Sequence, residues 1–445
     1  MSSVLLVDFG SSRVKFAVWS SQKRCVIDKA DVSAPIPIVG PQGEIEMASE
    51  SYWPILEVTG GLLIRKNHDV ESLWLCTEMH GIIVADKEGM PLTPYISWRD
   101  GRSIAKDANG ISTFDRLVNE KDAFFSQSGM KLRGGLPIIS LAHLVAQKIL
   151  PNNLRLFTLT DWLLWCGGER NPSIHVSLAA GTGLFDIHRM TWSSSLFNVA
   201  GLAKRNIQVA AIAPTGKPIG SIELGGRRIS VFGGVGDLQA AVFGAGLPYQ
   251  ANLAINLGTG SQVLRACNKI PAIIERRPGL DGRDLGAITH IPSGRALNVF
   301  ADFFDGCASL GRGETFFWRV FERLSSEEIL NASLKVNMNV FTSAWKYEQG
   351  GSILFIHEGN LSPNEMLAAI AKGWLSQYVS AMDQLDPEHV DLTFLLSGGL
   401  SRHVGFVSTV LETLSGRTVQ LNSSVTGEET LDGLLTLAQN SGHVN

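Results

Sequence analysis

The sequence predicts an α/β fold in two domains, and three observations carry that expectation. The chain has 445 residues, long for a single hydrophobic core. It holds 46 glycines, many of them at the ends of apolar runs, where strands turn into loops and helices. A short pattern also recurs once in each half. "LLVDFGSSRVKF" and "AINLGTGSQVLR" both read as an apolar strand, a turn of glycine and small hydroxyl residues, and a second strand. Asp8 matches Asn256, Gly10 matches Gly258 and Ser11 matches Thr259. The repeat places a boundary near residue 235, giving domains 1–235 and 236–445.

The elements follow in order. Residues 4–9 and 13–20 alternate and turn as two strands, and 24–32 adds a third. Residues 51–64 have helical spacing, 72–78 is a short buried strand, and 81–89 is a strand with a turn. An apolar helix over 135–150 is ended by Pro151. The second half opens on 227–246, read as strand, glycine turn and helix. Residues 251–268 are strand, turn and strand. Residues 392–399 form a strand running into Gly398–Gly399, with a helix from 404.

Composition excludes several classes. The net charge is −4 and no lysine/arginine-rich run occurs, so neither nucleic acid nor an anionic membrane is an expected partner. The start "MSSVLLVDFG" lacks a basic flank and carries Asp8, so it does not read as a signal peptide. The longest apolar stretches fall short of a membrane span; "LFTLTDWLLWCGG" is broken by Asp161. Cys25, Cys76, Cys166, Cys267 and Cys307 are scattered without a CxxC pair, which argues against a zinc site or a disulfide framework. The expectation is a reduced, cytoplasmic protein.

Four stretches can carry chemistry. A glycine–hydroxyl hairpin exposes backbone N–H groups that cradle phosphate oxygens. Either hairpin alone reads more readily as an ordinary turn; the duplication favours two phosphate grips. Beside the first, Lys15 can add a point charge and Asp8 can hold Mg²⁺, directly or through water. In "GGVGDLQAAVFGAG", Asp237 stands ahead of a helix, as a capping residue would or as a base for a sugar hydroxyl. Glu78, Met79, His80, Trp98, Asp100 and Arg102 come from two neighbouring loops rich in donors, acceptors and an apolar face, which suits a sugar. Gly398 and Gly399 would let a flat ring approach the backbone.

Together, and in this order, the motifs resemble the FGGY family of carbohydrate kinases within the actin/hexokinase/Hsp70-like superfamily. "VDFGSSRVKF" looks like the family's first phosphate loop and "INLGTGSQV" its second. "EMHG" with "PYISWRDGR" looks like the sugar loops. "TDWLLWCGG" resembles an Asp-Trp-Leu segment, "GVGDLQAAVFGAG" the catalytic aspartate and its helix, "LLSGGLSRH" the adenine-proximal glycines, and "MLAAIAKGWLSQYVSAMDQL" the long helix before that last strand. The resemblance implies two actin-like (ribonuclease H-like) domains, each a mixed central sheet with flanking helices, around a cleft for ATP and sugar that closes in use. It implies Asp237 as general base, and Asp8 and Asp237 as the carboxylates associated with Mg²⁺. Gly10, Ser11, Ser12, Lys15, Gly258, Thr259, Gly260, Ser261, Gly398 and Gly399 would meet ATP. Glu78, Met79, His80, Trp98, Asp100, Arg102 and Asp237 would meet the sugar. Met79–His80 and "WRDGR" point to a ketose, sedoheptulose ahead of xylulose, phosphorylated on a terminal hydroxyl. A homodimer is compatible, though no edge strand or apolar stripe marks an interface.

Departures from the family pattern bear on the substrate. Glu78 replaces a glutamine, so an acceptor-only group stands where an amide is usual. Ser140 and His143 replace a lysine and a tryptophan, His175 an aspartate, and His403 an asparagine. Two rival readings remain: a polyol or aldonate kinase, and a sugar-binding regulatory protein without catalysis. An actin-like ATPase is disfavoured by the polar loops around His80 and Trp98.

Overall fold

Alternation along buried strands builds the first sheet. The computed structural model describes residues 3–148, 150–258, 261–310, 316–341, 344–421 and 424–444. Strand β1 (Ser3–Phe9) is buried throughout. Leu5, Val7 and Phe9 enter one apolar cluster, while Val4 and Leu6 enter another on the opposite face, as a period of two requires. With β2 (Arg13–Ser20), β3 (Cys25–Ser33), β4 (Val70–Thr77), β5 (Gly220–Leu224) and β6 (Arg227–Gly236) it forms a six-stranded sheet in the order β5-β6-β4-β1-β2-β3. β1, β4 and β6 run parallel; β2, β3 and β5 are antiparallel to their neighbours.

The second sheet repeats this pattern. β7 (Leu253–Asn256) and β8 (Ser261–Cys267) are antiparallel, and β8 pairs antiparallel with β9 (Asp284–Ile291). β7 pairs parallel with β10 (Thr393–Ser397), which pairs parallel with β11 (Thr418–Gln420). The described helices include α1 (Pro137–Ala146), α2 (Leu159–Cys166), α3 (Val176–Gly181), α4 (Asp237–Gly244), α5 (Gly294–Leu310), α6 (Pro363–Leu385), α7 (Gly399–His403) and α8 (Val407–Ser415). A C-terminal helix spans Glu429–Asn440. No described helix is long and apolar enough to cross a membrane.

The chain divides into two compact units. The first holds 1–244, 276–283 and 424–445; the second holds 245–275 and 284–423. The single boundary expected near 235 does not describe this division, and Asp237 falls in the first unit instead of the second half. The reason is packing. Leu431, Leu434, Leu435 and Leu437 of the C-terminal helix are buried against Val4, Leu6 and Trp74 of the first sheet, and each buried leucine contributes roughly 2 kcal/mol. Gly244 and Gly433 let α4 and that helix touch; a Cβ on Gly433 would lie 2.0 Å from the Ala240 carbonyl oxygen.

Local readings need three adjustments. The 51–64 helix contains a wide turn over Leu56–Gly60 between two α segments. The strand expected over 81–89 is confined to Ile83–Ala85. A helical turn, α7, begins at Gly399, ahead of the helix expected from 404.

Candidate active site

The parallel strands bring their C-terminal ends together, the usual place for a ligand in an α/β sheet. Asp8 pairs with Cys76 and Phe9 with Thr77; Thr77 pairs with Gly236 across a register shift between Gly233 and Val235. Asp8, Glu78 and Asp237 therefore stand at adjoining strand ends.

Asp8 is buried. Thr430, at the start of the C-terminal helix, donates to its Oδ2 at 2.7 Å, and the Cys76 thiol lies 3.5 Å from Oδ1. Burial pushes the Asp8 carboxyl up, opposed by these hydrogen bonds and by Lys15. Lys15 faces Asp8 across the β1–β2 pair, and its ammonium meets Glu428 at 2.5 Å. The turn between them is closed by Gly10 N–H donating to the Arg13 carbonyl at 3.1 Å. Ser11 is half-buried and Ser12 exposed.

Asp237 is the first residue of α4, and its Oδ1 accepts from Leu238 N–H at 2.8 Å. This bond to the adjacent amide is not an N-cap bond, which would come from the second or third helical N–H. Burial, then the negative charges of Asp8 and Glu78, push its carboxyl up to about 7. Glu78 is also pushed up, chiefly by burial, and accepts from Trp98 Nε1 at 3.2 Å. Trp98 is itself 45% exposed.

His80 has a left-handed backbone with φ of 63°, a conformation held only by its surroundings. Its Nδ1–H donates to the Gly181 carbonyl at 2.6 Å, and Arg277 approaches Nε2 at 3.4 Å. Met79 is buried in an apolar cluster with α3. Asp100 and Arg102 are held by each other: Arg102 Nε donates to Asp100 Oδ1 and Nη2 to Oδ2, both at 2.8 Å. Glu46 pairs with Arg102 at 2.5 Å and Ile45 N–H donates to Asp100 at 2.8 Å. This buried network fastens the 43–46 loop. Among the substituted positions, Ser140 is buried in α1 and His143 meets Thr113 at 3.0 Å.

In the second unit, Ser261 is buried and Gly258 N–H donates to its Oγ at 3.1 Å, so that hydroxyl shapes its own turn. Asn256 Nδ2 donates to Ser397 Oγ at 3.2 Å. Gly398 has φ of 92°, and a Cβ there would lie 2.3 Å from the Leu257 carbonyl oxygen. Gly399 starts α7. Thr259, Gly260 and the His403 side chain lie outside the described residues.

Residues 3–244 match the N-terminal domain of the FGGY family of carbohydrate kinases. The chain belongs to that family. It is 25% identical over 285 residues to the apulose kinase of Pectobacterium atrosepticum, covering 60% of this chain and 55% of that protein. It is 27% identical over 281 residues to the glycerol kinase of Delftia acidovorans, covering 59% and 54%. These alignments span about half the length of the curated relatives. The fold is that of solved FGGY kinases. A xylulose kinase from Rhodospirillum rubrum superposes with a TM-score of 0.82 at 17% identity, covering 99% of this chain and 90% of that one. A gluconate kinase from Lactobacillus acidophilus gives 0.80 at 16%, covering 99% and 89%.

Sequence reasoning missed Cys76, Arg277, Glu428 and Thr430. Thr430 is 422 residues from its partner Asp8, and no local pattern links them. Cys76 could be found only from strand register, since a lone buried cysteine is ordinary.

Proposed function

We infer that this FGGY kinase transfers the γ-phosphoryl group of ATP to a terminal hydroxyl of a carbohydrate, with Asp237 as general base. One observation carries the reading: a carboxyl at the strand ends pushed up to about 7 by burial and by two neighbouring carboxylates. A base with that affinity is deprotonated above neutrality yet accepts a hydroxyl proton as the oxygen attacks phosphorus. Lys15 and the backbone N–H groups of Ser11 and Ser12 are the proposed phosphate contacts of the first unit, with the Gly10 N–H closing the turn that presents them. Gly258, Thr259, Gly260, Gly398 and Gly399 are those proposed for the second. Ser261 supports its turn from behind.

Asp8 and Asp237 would hold Mg²⁺, which when bound neutralises phosphate charge. The donor set suits it. Both are hard carboxylates whose ionised form burial disfavours, so a cation beside them would be stabilising. No described cluster of three or more metal-ligating side chains exists, and Mg²⁺ takes one or two carboxylates with water and phosphate oxygens. Glu78, His80 and the exposed Trp98 ring supply acceptor, polar edge and apolar face for a sugar. Asp100 and Arg102 act on the sugar indirectly, by fixing their loop. A ketose such as sedoheptulose or xylulose is the proposed acceptor, in a cytoplasmic setting. Relatives named glycerol kinase and a neighbour named gluconate kinase favour a second reading, a polyol or aldonate acceptor.

ADP release from Mg·ATP across ketoses, polyols and aldonates tests both. Turnover with a ketose that is lost in Asp237→Ala is the expected result. Turnover with glycerol or an aldonate alone selects the second reading, and sugar-independent silence across the panel overturns both.

A further inference from the structure

We propose that His175 is a positioning residue for Asp237, acting through Ser177 on the amide of Gly236; this rests on Asp237 being the base. Gly236 N–H donates to Ser177 Oγ at 3.0 Å. Ser177 Oγ lies 2.9 Å from His175 Nδ1, and Ser177 N–H donates to the same nitrogen at 3.1 Å. With its hydroxyl oxygen accepting from Gly236, Ser177 directs its own proton at Nδ1. Two donors on one nitrogen require that nitrogen to be unprotonated. The ring proton is then on Nε2 and donates to Thr215 Oγ1 at 2.9 Å. The protons of the Gly236 amide, the Ser177 hydroxyl and the His175 ring thus each have one place.

The inner part of the chain is closed to water, and its outer end, Thr215, is exposed. His175 is 2% and Ser177 0% exposed. Burial lowers the imidazole to about 4, so the ring is neutral near pH 7, and the two Ser177 donors on Nδ1 select the tautomer. Gly236 has little freedom otherwise: a Cβ there would lie 2.5 Å from Met79 Sδ and 2.7 Å from Gln239 Oε1. Its amide direction sets where the next residue, Asp237, leaves the strand. The other end of α3 carries the Gly181 carbonyl that holds His80. A six-residue helix capped by His175 therefore ties the base to the His80 loop.

The test compares His175→Leu, His175→Asn and Thr215→Val in the full chain. Leucine removes the acceptor for Ser177, while asparagine keeps one at the Nδ1 position. Hydrogen exchange of the peptide bearing Gly236 is read by mass spectrometry, alongside ADP release with whichever sugar is active. For His175→Leu, Gly236 exchange should rise on the order of tenfold. The kcat should fall roughly tenfold or more, with KM for ATP nearly unchanged, because misplacing a reacting group slows the chemical step. His175→Asn should restore most of both. Thr215→Val, which only loosens the ring, should shift both in the same direction by less, and it decides the matter if His175→Leu does not fold. Wild-type Gly236 exchange in a folded His175→Leu or in Thr215→Val overturns the proposal, as does an asparagine variant no better than leucine. Faster Gly236 exchange in a protein with no sugar-dependent turnover would instead overturn the kinase reading and leave the hydrogen-bond chain standing.

Discussion

The two strand–turn–strand copies share a scaffold and differ in charge. In the first, Asp8 faces Lys15 across the strand pair; at the same places in the second, Asn256 faces Gln262. The parallel neighbour repeats too: Cys76 beside Asp8, Ser397 beside Asn256. A carboxylate with a thiol and a threonine hydroxyl on it thus becomes a neutral amide donating to a serine hydroxyl. The hydrogen-bonding frame repeats, and the ionisable pair Asp8–Lys15 of the first copy is replaced by two amides, Asn256 and Gln262, in the second. A buried carboxylate favours a cation beside it, and a neutral amide makes no such demand.

The sharpest break of this comparison is at Asp237, which stands with the charged copy. Asp237→Asn should lower kcat by about a hundred-fold or more. Because burial and neighbouring carboxylates push the group up to about 7 in the free protein against 3.8 ordinarily, wild-type kcat/KM, which reports the free enzyme, should fall as pH drops below about 7. The same shift costs stability: the group's contribution is full below the ordinary carboxylate range and lost as pH rises through about 7. Thermal melts at pH 8 should therefore show Asp237→Asn more stable than wild type, with the advantage gone near pH 4. An acid limb near 4 would show that the environment leaves Asp237 unperturbed.

Exchanging the charges comes next. Asp8→Asn makes the first copy resemble the second and should cost on the order of a hundred-fold in Mg²⁺-dependent turnover. Asn256→Asp should instead raise KM for ATP by about tenfold through repulsion. Similar kinetic losses from both would show the copies to be equivalent. A smaller effect separates their turns. Gly398→Ala forces a Cβ onto the Leu257 carbonyl at positive φ and should destabilise by about 2 kcal/mol or more. At Gly10 the Cβ would sit 3.1 Å from the Arg13 carbonyl oxygen, and Gly10→Ala should cost under about 1 kcal/mol by the same urea titration. The smallest change is expected at Glu428. Its pair with Lys15 is 28% and 45% exposed, so Glu428→Gln should alter stability by less than about 1 kcal/mol.

The strands of both copies, the helix after Asp237 and the glycines after β10 were legible because each is a local signal: alternation, a small-residue turn, a helix start. Asp100 and Arg102 were legible as polar residues in a sugar-loop pattern. Their buried pairing with each other and Glu46 was not, since Glu46 lies 56 residues from Arg102. Ser261 was read as a ligand contact because a serine in a glycine turn looks the same whether its hydroxyl faces out or, as here, back into the turn.

By itself the sequence determined the α/β elements, the repeat and the family motifs, because apolar periodicity and turn chemistry act over a few residues. Only the tertiary structure decided where the units divide and what surrounds Asp8. A C-terminal helix returned to the first sheet to bury its leucines, and so carried Glu428 and Thr430 to Lys15 and Asp8. It also decided the proton affinity of Asp237, which depends on burial and on carboxylates brought close by strand register. Side-chain burial and electrostatics depend on distance in space, and distance along the chain does not predict it.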